Sequence, residues 1–210
     1  MLFKLVLVSR NRSIYARTLH TVLAIQGACR QNGIQMDVIF ADDNEVEKLK
    51  ILKTNLKGCD RILWFDYGMS VAQKSVSGLF MRPITGIDCG VLPAPVKDVI
   101  DWGTFVSEVN KNTSEPNHQI ALTFDTDVGP REIIPDVMYE VRSTCPQLWW
   151  ADSKKMLKKM NKNAPTARVM GDIFKNAKLQ FGAVVGADVH THFTHECMGG
   201  IMNMSGIRLT

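Results

Sequence analysis

No apolar run among the 210 residues is long enough to cross a bilayer, which excludes a membrane-spanning helix. The opening stretch MLFKLVLVSRNR is apolar for only a few positions. It has neither a charged leader nor a small-residue cleavage site, so it reads as a strand and not as a signal peptide. Cysteine is sparse and odd in number: Cys29, Cys59, Cys89, Cys145 and Cys197 are widely spaced and form no CxxC. That pattern argues against a disulfide framework and fits a reducing compartment, so a cytoplasmic location is expected. Charge of one sign is not concentrated either. The 25 Lys and Arg against 21 Asp and Glu give +4, too little for a dedicated nucleic-acid binder.

Two familiar phosphate-binding devices are also missing. No GxGxxG follows the first apolar run, and no GxxxxGK[ST] occurs. A dinucleotide-binding dehydrogenase and a P-loop NTPase both lose ground for that reason. Internal repeats and low-complexity tracts are absent. What remains is 45% hydrophobic and 22% charged, the profile of a globular domain with a real core. One domain over residues 1–210 is expected.

Phe3 to Val8, Met36 to Phe40 and Arg61 to Phe65 are short apolar runs suited to strands buried on both faces. Between them, Tyr15, Leu19, Val22 and Leu23 and then Val46, Leu49, Leu52 and Leu56 follow helical spacing. Asn44 with Glu47 has the form of a capping box. Ser70 with Gln73 predicts a third capped helix, running to Leu79. This alternation is the signature of βαβ units. The expected class is α/β: a mixed, mainly parallel central sheet of about six strands flanked by helices.

The second half is less regular. Pro95 fits the first turn of a helix carrying Val99 to Val109. Ile120 to Phe124 is a strand candidate ending in Asp125-Thr126-Asp127. Val128 to Pro146 shows no clear period and suits a mobile segment over a site. Leu148 to Trp150 reads as a short strand, and Ser153 to Met160 as a helix with a solvated lysine face. Ala183 to Val189 is read as a last strand, delivering His190, His192, His195 and Cys197.

In an open α/β sheet, ligands sit beyond the carboxyl ends of the strands. Here three successive strands end in Ser9 to Arg12, in Asp42 and Asp43, and in Asp66, all on one rim. Asp is also a common turn and cap residue, so each acid taken singly has a structural reading. Three histidines within six residues suit metal ligation, since imidazole is a common ligand and residues 190 and 192 share a face in a strand. Zinc, with Cys197 added, ranks below Mg²⁺ or Mn²⁺ because the segment lacks a zinc spacing.

The pieces LVLVSRNR, MDVIFADDNE, DRILWFDYG and VVGADVHTHF, in that order, resemble the nucleotide-diphospho-sugar glycosyltransferases of the GT-A fold. Among these the chain is similar to the small domains that large algal (chlorella) viruses use on capsid glycans, which would place it in host cytoplasm. The resemblance implies a nucleotide-binding half over residues 1–80 and an acceptor and metal-completing half over 81–210. It implies that Ser9, Arg10 and Arg12 line the base and ribose pocket, with Asp42 or Asp43 contacting uracil or ribose. The family's strand-end DxD reads Asp66-Tyr67-Gly68 here, so its second acid is missing. Asp66 with His192, and His190 next, would hold Mn²⁺ or Mg²⁺, with Mn²⁺ favoured. The literal DxD at Asp125-Thr126-Asp127 is the alternative placement, or a plain turn.

The implied reaction moves a sugar from a UDP-sugar donor to a hydroxyl of a glycan or glycoprotein acceptor. A carboxylate takes the acceptor proton in an inverting enzyme, and Asp152 and Asp172 are candidates, each with a helix-cap reading beside it. Trp149 and Trp150 suit either sugar stacking or core packing. The rivals are a metal-dependent hydrolase built on His190-Thr191-His192 and a nucleotide-sugar-binding module without turnover.

Overall fold

The computed structural model describes residues 1–80, 85–97 and 123–191. An eight-stranded sheet forms its centre, in the order β2-β1-β3-β10-β5-β11-β9-β8. Its strands are β1 (Leu2–Ser9), β2 (Gln35–Asp42), β3 (Arg61–Phe65), β5 (Cys89–Val91), β8 (Thr126–Ile134), β9 (Met138–Thr144), β10 (Leu148–Asp152) and β11 (Phe181–Val184). Following the pairings outward from β1, β9 and β10 run against the other six. The sheet is therefore mixed but mainly of one direction, in an α/β fold as expected. Two small ribbons lie outside it: β4 (Met69–Val71) with β12 (Val189–Thr191), and β6 (Pro95–Lys97) with β7 (Thr123–Phe124).

Side-chain alternation along β1 divides the core into two layers. Phe3, Leu5 and Leu7 pack with Val22, Ile25 and Cys29 of α1 (Ala16–Gln31) and with Val76 and Leu79 of a 3-10 helix (Gln73–Phe80). Val6 and Val8 face the other way, onto Leu49 and Leu52 of α2 (Glu45–Asn55), Met156 and Met160 of α3 (Ser153–Asn163), and Ile173 of α4 (Met170–Asn176). Helices thus cover both faces, which is why β1 and β3 are apolar nearly throughout.

Several local expectations are corrected. Ser70 does not cap a helix; it is buried inside β4, and the helix after it is 3-10. The reason is tertiary: Thr18 Oγ1 donates to the Met69 carbonyl at 2.8 Å, and Thr21 Oγ1 exchanges bonds of 3.0 Å with Val71, so α1 holds this segment extended. Pro95 begins β6 rather than a helix, while Val99 to Val109 lie outside the described residues. Val128 to Pro146 is largely a β8–β9 hairpin and not a lid. Its period is hidden by three register shifts and by Pro130, which the edge strand β8 accommodates. The last strand ends earlier than expected: β11 stops at Val184, and His190 belongs to β12.

Two of the helix α3 lysines are not free in solvent. Lys155 Nζ donates to the Ile87 carbonyl at 3.0 Å and Lys159 Nζ to Asp88 Oδ2 at 2.6 Å.

Candidate functional site

β1, β2 and β3 are parallel, with Ser9 opposite Asp42 and Leu7 opposite Phe65. Their carboxyl ends therefore open on one rim. After β1 the chain reverses through Asn11 and Arg12, both in the left-handed region (φ 52° and 57°), with Ser13 N–H bonded back to the Arg10 carbonyl at 2.9 Å. After β2, Asn44 accepts from the N–H groups of Val46 and Glu47 at 3.0 and 3.1 Å and starts α2, as its sequence predicts. After β3, the Asp66 carbonyl accepts from Met69 N–H at 3.2 Å across a tight turn. Gly68 has φ 79° there, the third turn position that glycine fills without strain.

The rim gathers a five-residue ionic cluster. Arg10 reaches Asp43 Oδ2 through Nη2 at 2.7 Å and through Nε at 3.1 Å, and its guanidinium lies 4.5 Å from the centre of the Tyr67 ring. Lys48 Nζ reaches Asp43 Oδ1 at 2.9 Å, Asp66 Oδ1 at 3.1 Å and, at the cluster's outer margin, Glu45 Oε1 at 3.1 Å. An ammonium has three N–H donors, so these three carboxylates can take all of them. The Lys48 side chain is only 7% exposed, and lysine is almost never so buried unless paired. Sequence reading missed Lys48. Its only signal was a lysine on the buried face of α2, beside Leu49 and Leu52.

The acids respond to this cluster in opposite senses. Burial works to raise Asp43, but hydrogen bonds and charge from Lys48 and Arg10 outweigh it and hold the carboxyl below its ordinary value. For Asp66 burial prevails and raises the carboxyl, against the pull of Lys48 and of Trp64 Nε1. Lys48 is held well above its ordinary value: burial would lower it, but Asp66 and Asp43 dominate together.

Of the expected nucleotide contacts, Ser9 is buried and donates to the Ala41 carbonyl at 3.3 Å, tying β1 to β2. Arg12 and Asp42 are exposed on the same rim. Arg10 meets Asp43 directly, Lys48 links Asp43 to Asp66, and Gly68 shapes the turn that follows Asp66. Of the two expected bases, Asp152 is not on this rim. Asp152 lies opposite Arg61 at the start of β3, on the other rim, and caps α3 through Lys155 N–H at 2.9 Å. Asp172 accepts from the N–H groups of Arg168 and Val169 at 2.8 and 3.2 Å ahead of α4; those bonds lower its carboxyl. Asp152 is thus the N-cap of α3, and Asp172, the third residue of α4, bonds back to the backbone at that helix's start.

Asp125, in the alternative placement of the metal motif, is bonded to the protein's own backbone and side chains. It accepts from Ala94 N–H at 3.1 Å, Gln147 N–H at 2.9 Å and Thr126 Oγ1 at 2.8 Å, and so fastens two loops together, while Asp127 is exposed in β8. Trp149 and Trp150 cannot stack on a sugar, because both are fully buried. Trp149 stacks on Trp64 at 5.6 Å, and Trp150 Nε1 donates to the Gly78 carbonyl at 3.1 Å.

His190 pairs with Asp188 at 3.1 Å and lines a cavity of about 250 Å³ with Arg17, His20 and Gln73. His192, His195 and Cys197 lie outside the described residues. The divalent ion implied by the resemblance does not fit the described residues at Asp66. Gly68 supplies no ligand, the Lys48 ammonium already stands on Asp66 Oδ1 as a competing cation, and no group of three or more His, Cys, Asp or Glu among the described residues is arranged to hold an ion. A larger cavity of about 470 Å³, carrying Arg131, Arg142, Lys175 and Lys178, opens at the amino ends of β5 and β11, away from this cluster.

No protein-family profile matches the sequence, and no curated protein sequence matches it. Solved structures do. A197 from STIV superposes with a TM-score of 0.50 at 14% identity, over 91% of this chain and 84% of that one. The catalytic domain of Drosophila beta1,4galactosyltransferase 7, in complex with xylobiose, gives 0.45 at 10% identity, over 88% and 65%. The 4-diphosphocytidyl-2C-methyl-D-erythritol synthase from Anaerococcus prevotii gives 0.42 at 10% identity, over 92% and 90%. At these identities the likeness to A197 is one of fold.

Proposed function

We propose that the chain is a GT-A-like glycosyltransferase that takes a UDP-sugar and transfers its sugar to a hydroxyl of a glycan or glycoprotein acceptor. The observation that carries this reading is the convergence of Arg10, Asp43, Lys48 and Asp66 on the carboxyl rim of β1 to β3. That rim is where open α/β sheets bind ligands, and the cluster joins the first three of the four segments that carry the sequence resemblance. Departure of the nucleoside diphosphate from the anomeric carbon builds negative charge on the leaving group. Fixed charges aimed at that position stabilise it without reorganising as the bond breaks. Arg10, stacked on Tyr67 and oriented by Asp43, offers a planar platform beside the rim.

Nucleotide-sugar binding without turnover is the second reading, and Gly68 in place of the motif's second acid favours it. Thermal shifts with UDP, GDP and CMP test the shared part: stabilisation by UDP above the other two is expected, and none with any of them removes both readings. Release of free UDP from donor in the presence of acceptor sugars then separates a transferase from a binding module.

A further inference from the structure

This inference rests on the sugar-nucleotide reading above. We propose that Lys48 is the resident cation of the site, that nucleoside diphosphate binds there without a divalent metal, and that a phosphate oxygen takes the Lys48 N–H now held by Glu45. Three features of the cluster lead to this. First, the ammonium sits between the ends of β2 and β3, on Asp43 Oδ1 and Asp66 Oδ1 at once, so a positive charge already stands where a metal on Asp66 would place its own.

Second, the three carboxylates on Lys48 are not equivalent. Asp43 is also clamped by Arg10, and Asp66 accepts a further, longer contact from Trp64 Nε1 at 3.5 Å at the end of a buried strand. Glu45 holds Lys48 by one 3.1 Å contact and its side chain is 53% exposed. It is the partner that solvent can recover most easily. Third, the exchange balances. One anionic oxygen leaves an ammonium N–H and another arrives, so no buried charge loses its partner, while the freed glutamate returns to water. Leaving a buried charge unpaired is the costly outcome, and this exchange avoids it.

Isothermal titration of the full chain with UDP, once in EDTA and once in Mn²⁺, tests the proposal. Equal affinity in the two conditions is expected, with Lys48→Met weakening binding about tenfold or more and Lys48→Arg retaining most of it. Binding that appears only with Mn²⁺, or that persists unchanged in a folded Lys48→Met variant, overturns the role of Lys48 and leaves the sugar-nucleotide reading in place. Absence of UDP binding in both conditions overturns that reading itself. Should circular dichroism show that Lys48→Met does not fold, the comparison of EDTA with Mn²⁺ on the unaltered protein decides alone.

Discussion

Lys48 and Asp66 meet at 3.1 Å, although one stands near the start of α2 and the other just past β3. The contact joins two βα units at their common rim. It also converts a strand-end aspartate, which by sequence is a candidate metal ligand, into half of an internal ion pair.

Glu45→Gln should tighten UDP binding several-fold, because the neutral amide holds the Lys48 ammonium less firmly and yields it more readily. The Glu45 side chain is exposed, so the fold should be unaffected. Titration calorimetry on the variant reads this directly, and weaker binding would show that Glu45 assists the ligand instead of yielding to it.

The acid limb of the stability curve should depend on Asp43. Its carboxyl is held below the ordinary value of 3.8, so its contribution is fully present above pH 3.8 and is lost as pH falls through the lower folded value. Asp66 has the opposite sign. Its carboxyl is raised, so its ionisation works against folding, and the stabilising effect of its neutral form is lost as pH rises through the folded value. Urea unfolding of the protein and of Asp43→Asn across the acid range should therefore show a gap that closes only below pH 3.8. A gap independent of pH would mean that the Arg10 and Lys48 contacts do not favour the charged form.

UDP should slow alkylation of Cys145. That thiol is exposed, whereas Cys29, Cys59 and Cys89 are buried. Burial of part of its surface raises it, and Glu45, Asp66 and Asp125 add to the shift while Lys48 opposes it, so it lies within the field of the cluster. Peptide-resolved mass spectrometry after iodoacetamide gives the rate at this one position. An unchanged rate in saturating UDP would move the nucleotide away from the loop at 145–147.

Gly90→Ala should destabilise the fold by about 1–3 kcal/mol, the usual cost of overpacking a core. A Cβ at this position would stand 2.3 Å from Trp150 Cε2, and Trp150 is pinned by its bond to Gly78 and by Arg61 stacked at 4.3 Å. Denaturant unfolding followed by tryptophan fluorescence checks it. A neutral result would show that the Trp150 ring moves more freely than those contacts imply.

The sequence by itself determined the parts that near neighbours control. Apolar runs marked β1, β2 and β3, Asn44 marked the start of α2, and the alternation of runs and helices placed three strand ends on one rim. Capping and periodicity act over a few residues, so they are readable locally. Tertiary structure decided the rest. Whether Asp152, Asp172 and Asp125 face a ligand or a backbone N–H depends on where the neighbouring chain runs, and in each case backbone N–H groups hold them. Trp149 and Trp150 are hidden by the strands and helices around them, and Ser70 is held extended by α1 rather than by its own neighbours. The pairing of Lys48 with Asp66 needs β3 beside β1 and α2 packed behind them. It exists only once the sheet has assembled, because a buried ammonium is stable only where folding brings carboxylates from distant segments to meet it.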